Sequence, residues 1–329
     1  MILGGRKLCG MTHTPSQPAI VASGLRKSFG DKVVLDGIDL HVSQGTIFSM
    51  LGPNGAGKTT TVHILSTLIR ADGGEIRVAG HDPTRDPDAV RAAIGLTGQF
   101  SAVDKLLTGE ENLRLMADLH HLGRREGRRR AGALLERFDL VEAGKKTAAT
   151  YSGGMQRRLD LAMTLVGDPQ VIFLDEPTTG LDPRSRRGLW QIIRDLVAGG
   201  VTIFLTTQYL DEADQLADRV AVLDHGRLVA EGTPAELKRR VAGGHLSLQF
   251  ADAAELDLAA RVLGDVTRDD DALTVQVPHD GGVRSLRALL DRLDDASIEV
   301  AGLTVHTPDL DDVFLALTGQ DKKETETVR

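Results

Sequence analysis

The chain has one cysteine, Cys9, which excludes an internal disulfide framework and a multi-cysteine zinc site. That usage fits a reducing compartment, so a cytoplasmic address is expected. Aromatic residues make up 3% of the sequence and leave few platforms on which nucleic-acid bases could stack. Positive charge is also short: 39 Lys and Arg face 47 Asp and Glu, a net charge of −8, which argues against binding to phosphate backbones. Nucleic acid is therefore not an expected partner. No apolar run approaches the ~18 residues of a membrane-spanning helix. Residues 1–19 lack the apolar core of a signal peptide and read as a disordered lead-in.

What is present is ordinary for a globular chain, with 41% hydrophobic and 26% charged residues. At 329 residues the length exceeds one ordinary core, so a main domain with a smaller appendage is expected. Acidic excess is concentrated late: residues 245–329 hold 8 Lys and Arg against 18 Asp and Glu, which places a boundary near Gly243 and Gly244.

Residues 20–25 and 33–42 alternate apolar and polar positions around Gly30 and Asp31, the pattern of an antiparallel β edge. A short apolar strand, 46–51, runs into a glycine-rich loop and then a helical pattern at Val62, Ile64, Leu65, Leu68 and Ile69. Residues 102–150 read as an all-helical insert, with 106–122 and 131–140 as its best segments. From Val171 strands and helices alternate, which implies a parallel sheet with crossover helices. After Gly244 the order is strand, helix, strand, strand, helix, strand, a split-βαβ, ferredoxin-like α+β sandwich over 244–319. A final helix covers 309–317, and 320–329 reads as a flexible tail.

Gly52, Pro53, Asn54, Gly55, Ala56, Gly57, Lys58, Thr59 and Thr60 contain G-x-x-x-x-G-K-[ST] between a strand and a helix. Glycines let successive N–H groups curl inward around phosphate oxygens, and the helix adds its positive end. Lys58 supplies a point charge for β and γ phosphates, and Thr59 a hydroxyl for Mg²⁺. The strand 171–174 ends in Asp175 and Glu176, where open α/β sheets bind ligands. Asp175 would hold the metal shell and Glu176 would orient or deprotonate a water; a solvated Asp-Glu turn before Pro177 is the bland alternative. Ser152, Gly153 and Gly154 open another helix, as an anion-binding start or as an ordinary cap.

Together these motifs, with Leu174, Pro177, Gly180, Leu181 and Asp182, resemble the ATP-binding-cassette ATPases over about residues 20–237. Tyr151, Ser152, Gly153, Gly154 and Met155, the run 205–214 and the tail 310–319 look like the daunorubicin-resistance type of drug-export ATPase. The resemblance implies an α/β P-loop NTPase domain over 20–243, with a mixed sheet core, an antiparallel β edge and the helical insert. It implies Phe29 as the adenine-stacking aromatic, Gln99 as the link from Mg²⁺ to the insert, and Ser152, Gly153 and Gly154 as the signature closing over a second copy's ATP. Asp182 would then lie at the dimer seam. A strand-end Phe is otherwise commonly core, and Gln99 is otherwise a loop residue. Gln208 stands where the family usually has a histidine on the γ-phosphate; it keeps hydrogen bonding without becoming cationic. Met155 replaces the family's usual glutamine.

The expected protein is thus an ATP hydrolase using ATP and Mg²⁺. It dimerises on ATP at the cytoplasmic face of the membrane and drives a separate permease that exports an amphipathic drug or natural product. Export of lipid or polysaccharide, a soluble cassette ATPase and a P-loop kinase are the alternatives; one glycine loop, no heptad run and the signature weigh against the last two. The appended domain, with no phosphate loop, is expected to be regulatory or architectural. Arg124, Arg125, Arg128, Arg129 and Arg130 read as a solvated face, His120, His121 and His225 as surface residues, and Trp190 as packing.

Overall fold

Apolar residues on one side of two long strands build the first layer. In β1 (Pro18–Phe29) and β2 (Lys32–Ser43), Ile20, Ala22, Leu25, Leu35, Ile38, Leu40 and Val42 are buried. The computed structural model describes residues 18–99, 101–240, 244–279, 282–306 and 308–318. The expected lead-in over 1–17 and the tail 320–329 lie outside them. Pro18 and Ala19, assigned above to the lead-in, belong to β1, because Ala19 is buried and its carbonyl accepts from the Ala79 amide.

The chain continues through β3 (Ile47–Leu51), α1 (Lys58–Leu65), β4 (Gly73–Val78), α2 (Pro87–Ala93) and β5 (Ile94–Thr97). The insert follows with α3 (Gly109–Leu119), α4 (Arg124–Arg137) and two single turns, and then α5 (Gly153–Thr164). There follow β6 (Val171–Asp175), α6 (Pro183–Ala198), β7 (Thr202–Thr207), α7 (Leu210–Leu216), β8 (Arg219–Asp224) and β9 (Arg227–Gly232), whose last residue meets the boundary of the first unit. β4 and β2 flank β1, both antiparallel to it. The larger sheet has the order β5-β6-β7-β3-β8-β9, and its first five strands run parallel.

Every residue of β3, β6 and β7 is buried, as parallel strands covered on both faces require. Phe204 stacks on Phe48 with centroids 5.5 Å apart and meets Phe173 at a tilt at 5.6 Å, across these three strands. One core fills the space toward the antiparallel sheet, and another joins the larger sheet to the insert and α6. β6, β7 and β3 are adjacent, so the loops after them emerge together at one sheet edge. That edge is where open α/β sheets bind ligands.

The insert departs from its expected bounds. The first helix stops at Leu119, and the second begins at Arg124 and takes in the arginine run. A Thr108–Glu111 capping box fixes where α3 starts. Arg130 is not solvated as expected, since it is half-buried and donates to the Val166 carbonyl at 2.6 Å.

The second compact unit begins at Gly232, ahead of the break at Gly243 and Gly244. Its first helix, α8 (Pro234–Lys238), packs on its last, α11 (Leu310–Thr318), which groups this stretch with the second unit. Between them lie β10 (His245–Gln249), α9 (Ala253–Leu263), β11 (Thr267–Asp269), β12 (Thr274–Pro278), α10 (Val283–Asp295) and β13 (Gly302–His306). The sheet order β11-β12-β10-β13, with every pairing antiparallel, inserts β12 between β10 and β11 and gives the split-βαβ sandwich. The last strand starts at Gly302 rather than 297, because Ser297 adopts φ 54° and Ile298 turns into the core.

Candidate functional site

The loop between β3 and α1 is shaped by three glycines. Gly55 and Gly57 have φ of 82° and 114°, which side chains strongly disfavour. A Cβ at Gly52 would lie 2.3 Å from the Leu223 carbonyl oxygen, and one at Gly57 would lie 2.6 Å from Leu35 Cδ2. The backbone can therefore curl tightly through Pro53, Asn54 and Ala56 against its neighbours. Lys58 enters α1 with its ammonium turned back into this curl, donating to the carbonyls of Gly52 at 2.8 Å and Pro53 at 3.1 Å. It is 4% exposed, and burial pulls its pKa below the ordinary value while Glu176 opposes the shift.

β6 delivers Asp175 and Glu176 beside the curl. Glu176 Oε1 lies 3.6 Å from Lys58 Nζ, and Thr59 Oγ1 donates to Asp175 Oδ1 at 3.3 Å. Glu176 has φ 48°, an uncommon conformation for a side-chain-bearing residue, held by its amide donating to both Thr206 O and Thr206 Oγ1. Thr206 Oγ1 in turn donates to Asp175. Gln99 follows β5 and reaches across, its amide 3.5 Å from Thr59 Oγ1. A half-turn of that amide presents its oxygen instead. Hydroxyl, carboxylate and amide oxygen then form a hard donor set that suits a small divalent cation sharing its shell with phosphate and water. Thr60 continues α1, and Gln208 is half-buried directly after β7.

Ser152, Gly153, Gly154 and Asp182 form a second group. Ser152 is the N-cap of α5, accepting from the Met155 amide at 3.3 Å, and Asp182 is the N-cap of α6, accepting from Arg184 and Ser185. These hydrogen bonds, above all from Ser185, hold the Asp182 carboxyl below its ordinary pKa. A Cβ at Gly154 would lie 2.5 Å from Ser185 Oγ, so the two helix starts pack closely. Phe29 is not core as a strand-end Phe commonly is: it is 53% exposed, with the Lys27 ammonium 5.2 Å from its ring centroid.

Sequence reasoning passed over Arg157. Its guanidinium donates to the carbonyls of Pro177 at 2.8 Å, Gly98 at 2.9 Å and Asp175 at 3.4 Å, and to Asp160 at 3.2 Å. It thereby ties the helix begun by Ser152 to the loops carrying Gln99 and Glu176. Arg157 and Asp160 are spaced i,i+3, which on sequence alone reads as a solvated helix pair, so no signal marked it. Thr206 was likewise read only as strand.

Comparison with known proteins agrees with this geometry. A family description, ABC transporter, matches residues 35–179. The daunorubicin resistance ATP-binding protein DrrA3 of Streptomyces coeruleorubidus is 51% identical over 94% of this chain and 98% of its own length. The daunorubicin/doxorubicin resistance ATP-binding protein DrrA of Streptomyces peucetius is 48% identical over 95% of this chain and 97% of its own. Nod factor export ATP-binding protein I of Rhizobium sp. (strain N33) is 36% identical over 94% of this chain and 100% of its own. Among solved structures, an ATP-binding subunit of an ABC transporter superposes with TM-score 0.61 at 28% identity, covering 68% of this chain and 92% of that one. The chain belongs to the ATP-binding subunits of ABC transporters.

Proposed function

We propose that this chain binds ATP with Mg²⁺ against the 52–60 loop, hydrolyses it, and so powers export of an amphipathic drug or natural product through a separate permease. The observation that carries the chemistry is Glu176, held in strained backbone at the end of β6, next to Asp175 and 3.6 Å from Lys58. Lys58 exchanges its carbonyl partners for β and γ phosphate oxygens, while the amides of Gly55 to Thr60 and the positive end of α1 cradle the rest. Thr59, Asp175 and Gln99 would hold Mg²⁺, which would supply positive charge against the phosphates. Glu176 orients a water for in-line attack and takes its proton, and the Gln208 amide donates to the γ-phosphate. Phe29 stacks on adenine.

Ser152, Gly153 and Gly154 meet the ATP of a second copy, and Asp182 lies at the seam. No described helix is long and apolar enough to cross a membrane. The chain works at the cytoplasmic face beside a separate permease. The resistance proteins among the relatives support drug export, and the Nod factor export protein supports another exported cargo; export of lipid or polysaccharide is the second reading. Stimulation of ATP hydrolysis by each cargo class, in the chain assembled with its permease, separates the two.

Glu176→Gln tests the chemistry. The substitution keeps size and hydrogen bonding, so ATP affinity stays near native while hydrolysis falls by about 10²–10⁴, the worth of a general base. Turnover near native in the folded variant would remove Glu176 from the role.

A further inference from the structure

Glu212 belongs to the acidic run Asp211, Glu212 and Asp214, yet the fold turns it fully inward at 0% exposure. A carboxylate in such a place is costly, and an apolar side chain of the same size would serve stability better. It stands in the first turn of α7, four residues after Gln208, and its hydrogen-bond partner lies on α6. Oε1 accepts from the indole Nε1 of Trp190 on α6 at 3.0 Å, which gives Trp190 a polar task beyond packing. Burial pushes the carboxyl pKa up, against the pull of Trp190, the Thr207 and Thr178 hydroxyls and the Arg186 charge. Oε2, Thr178 Oγ1 and Arg186 Nε fall short of a hydrogen bond with good geometry.

The surrounding backbone encloses Gln208. Thr207 Oγ1 accepts from the Tyr209 amide at 2.9 Å, and the Glu212 amide donates to the Tyr209 carbonyl at 3.2 Å. The Arg186 guanidinium lies 5.2 Å from the centroid of the Tyr209 ring. Thr178 sits on the loop that leads from Glu176 to Asp182. One buried carboxylate thus joins the turn bearing Gln208 to α6.

We propose that Glu212 is a positioning residue for ATP hydrolysis, clamping the Gln208 turn onto α6. The proposal rests on the reading of Gln208 given above. The clamp acts by holding the Gln208 turn where the γ-phosphate needs it, and Glu212 itself touches no substrate.

The test is a double-mutant cycle in the full chain, with kcat and KM for ATP measured beside thermal melting. Glu212→Ala is expected to lower kcat by about tenfold with KM within about twofold. Glu212→Gln, which keeps an acceptor for Trp190, restores most of it. In a Gln208→Ala background, Glu212→Ala changes kcat by less than about twofold, because the group it positions is gone. Trp190→Phe, which removes the N–H and keeps an aromatic ring of smaller size, lowers kcat in the same sense and serves where Glu212→Ala does not fold. A native kcat in folded Glu212→Ala or Trp190→Phe, or an undiminished Glu212→Ala effect in the Gln208→Ala background, overturns the proposal. Native hydrolysis by Gln208→Ala alone is the separate failure of the underlying reading, and removes the clamp's route with it.

Discussion

At Gly57 the demands on the phosphate loop meet in one residue. Its φ of 114° and the 2.6 Å approach of Leu35 Cδ2 to a would-be Cβ mean that Gly57→Ala adds backbone strain and crowding together. A loss of about 2–4 kcal/mol of stability is expected, read by urea unfolding, with weakened ATP binding because the curl must open. Gly55→Ala shares the positive φ but meets open space, so it should lose less. Glu212 gives a pH signature at the same scale. Burial raises its folded pKa, so the native state holds a proton that the unfolded chain releases near the ordinary glutamate value. This stability is fully present below the unfolded pKa and declines as pH rises toward the folded one. Glu212→Gln has no proton to lose, so its urea-unfolding free energy should lack that decline; an unchanged slope between wild type and variant would place the titration elsewhere. The residues proposed to bind phosphate stand out in the sequence because fixed spacing carries their chemistry. Glu212 was not, because nothing in Asp211, Glu212 and Asp214 says which carboxylate the helix buries.

At the scale of elements, α5 depends on Arg157. The side chains of Arg157 and Asp160 are 11% and 3% exposed, and burial lowers the pKa of the first and raises that of the second, each opposed by its partner. Arg157→Ala leaves a buried carboxyl without its counter-charge and three carbonyls without a donor. A cost of about 3–5 kcal/mol is expected in urea unfolding, and Arg157→Lys should recover only part of it, because a single ammonium cannot reproduce the fork. Equal stability of Arg157→Ala and wild type would remove α5's anchor. The parallel strands were readable as apolar runs, and the order of elements in the second unit followed from their periodicity. Helix bounds in the insert were not, since the arginine run at 124–130 hides the stripe of Gly127, Ala131, Leu134 and Leu135 that α4 buries. The second unit's start at Gly232 was also hidden, because α8 is placed by its packing on α11 and not by composition.

For the whole molecule, the decisive question is what meets the start of α5. Ser152 and Gly153 are exposed, Gly153 has no atom near its Cβ direction, and no acidic residue stands in the first turn. The positive end of a twelve-residue helix is therefore left facing solvent in a single chain. If it meets the γ-phosphate of a second copy, Glu176→Gln, which keeps ATP from turning over, should accumulate as a dimer with ATP and remain a monomer without it. Light scattering reads the doubled mass. Ser152→Asp then separates capping from anion binding. Aspartate caps a helix as well as serine does, so the variant should melt within about 0.5 kcal/mol of its parent. Its carboxylate, however, occupies the place of the incoming phosphate with the same sign of charge, so Glu176→Gln with Ser152→Asp should bind ATP and stay monomeric. If the double variant forms the ATP dimer as readily as Glu176→Gln alone, the start of α5 meets no phosphate, and the two-copy arrangement would need another contact.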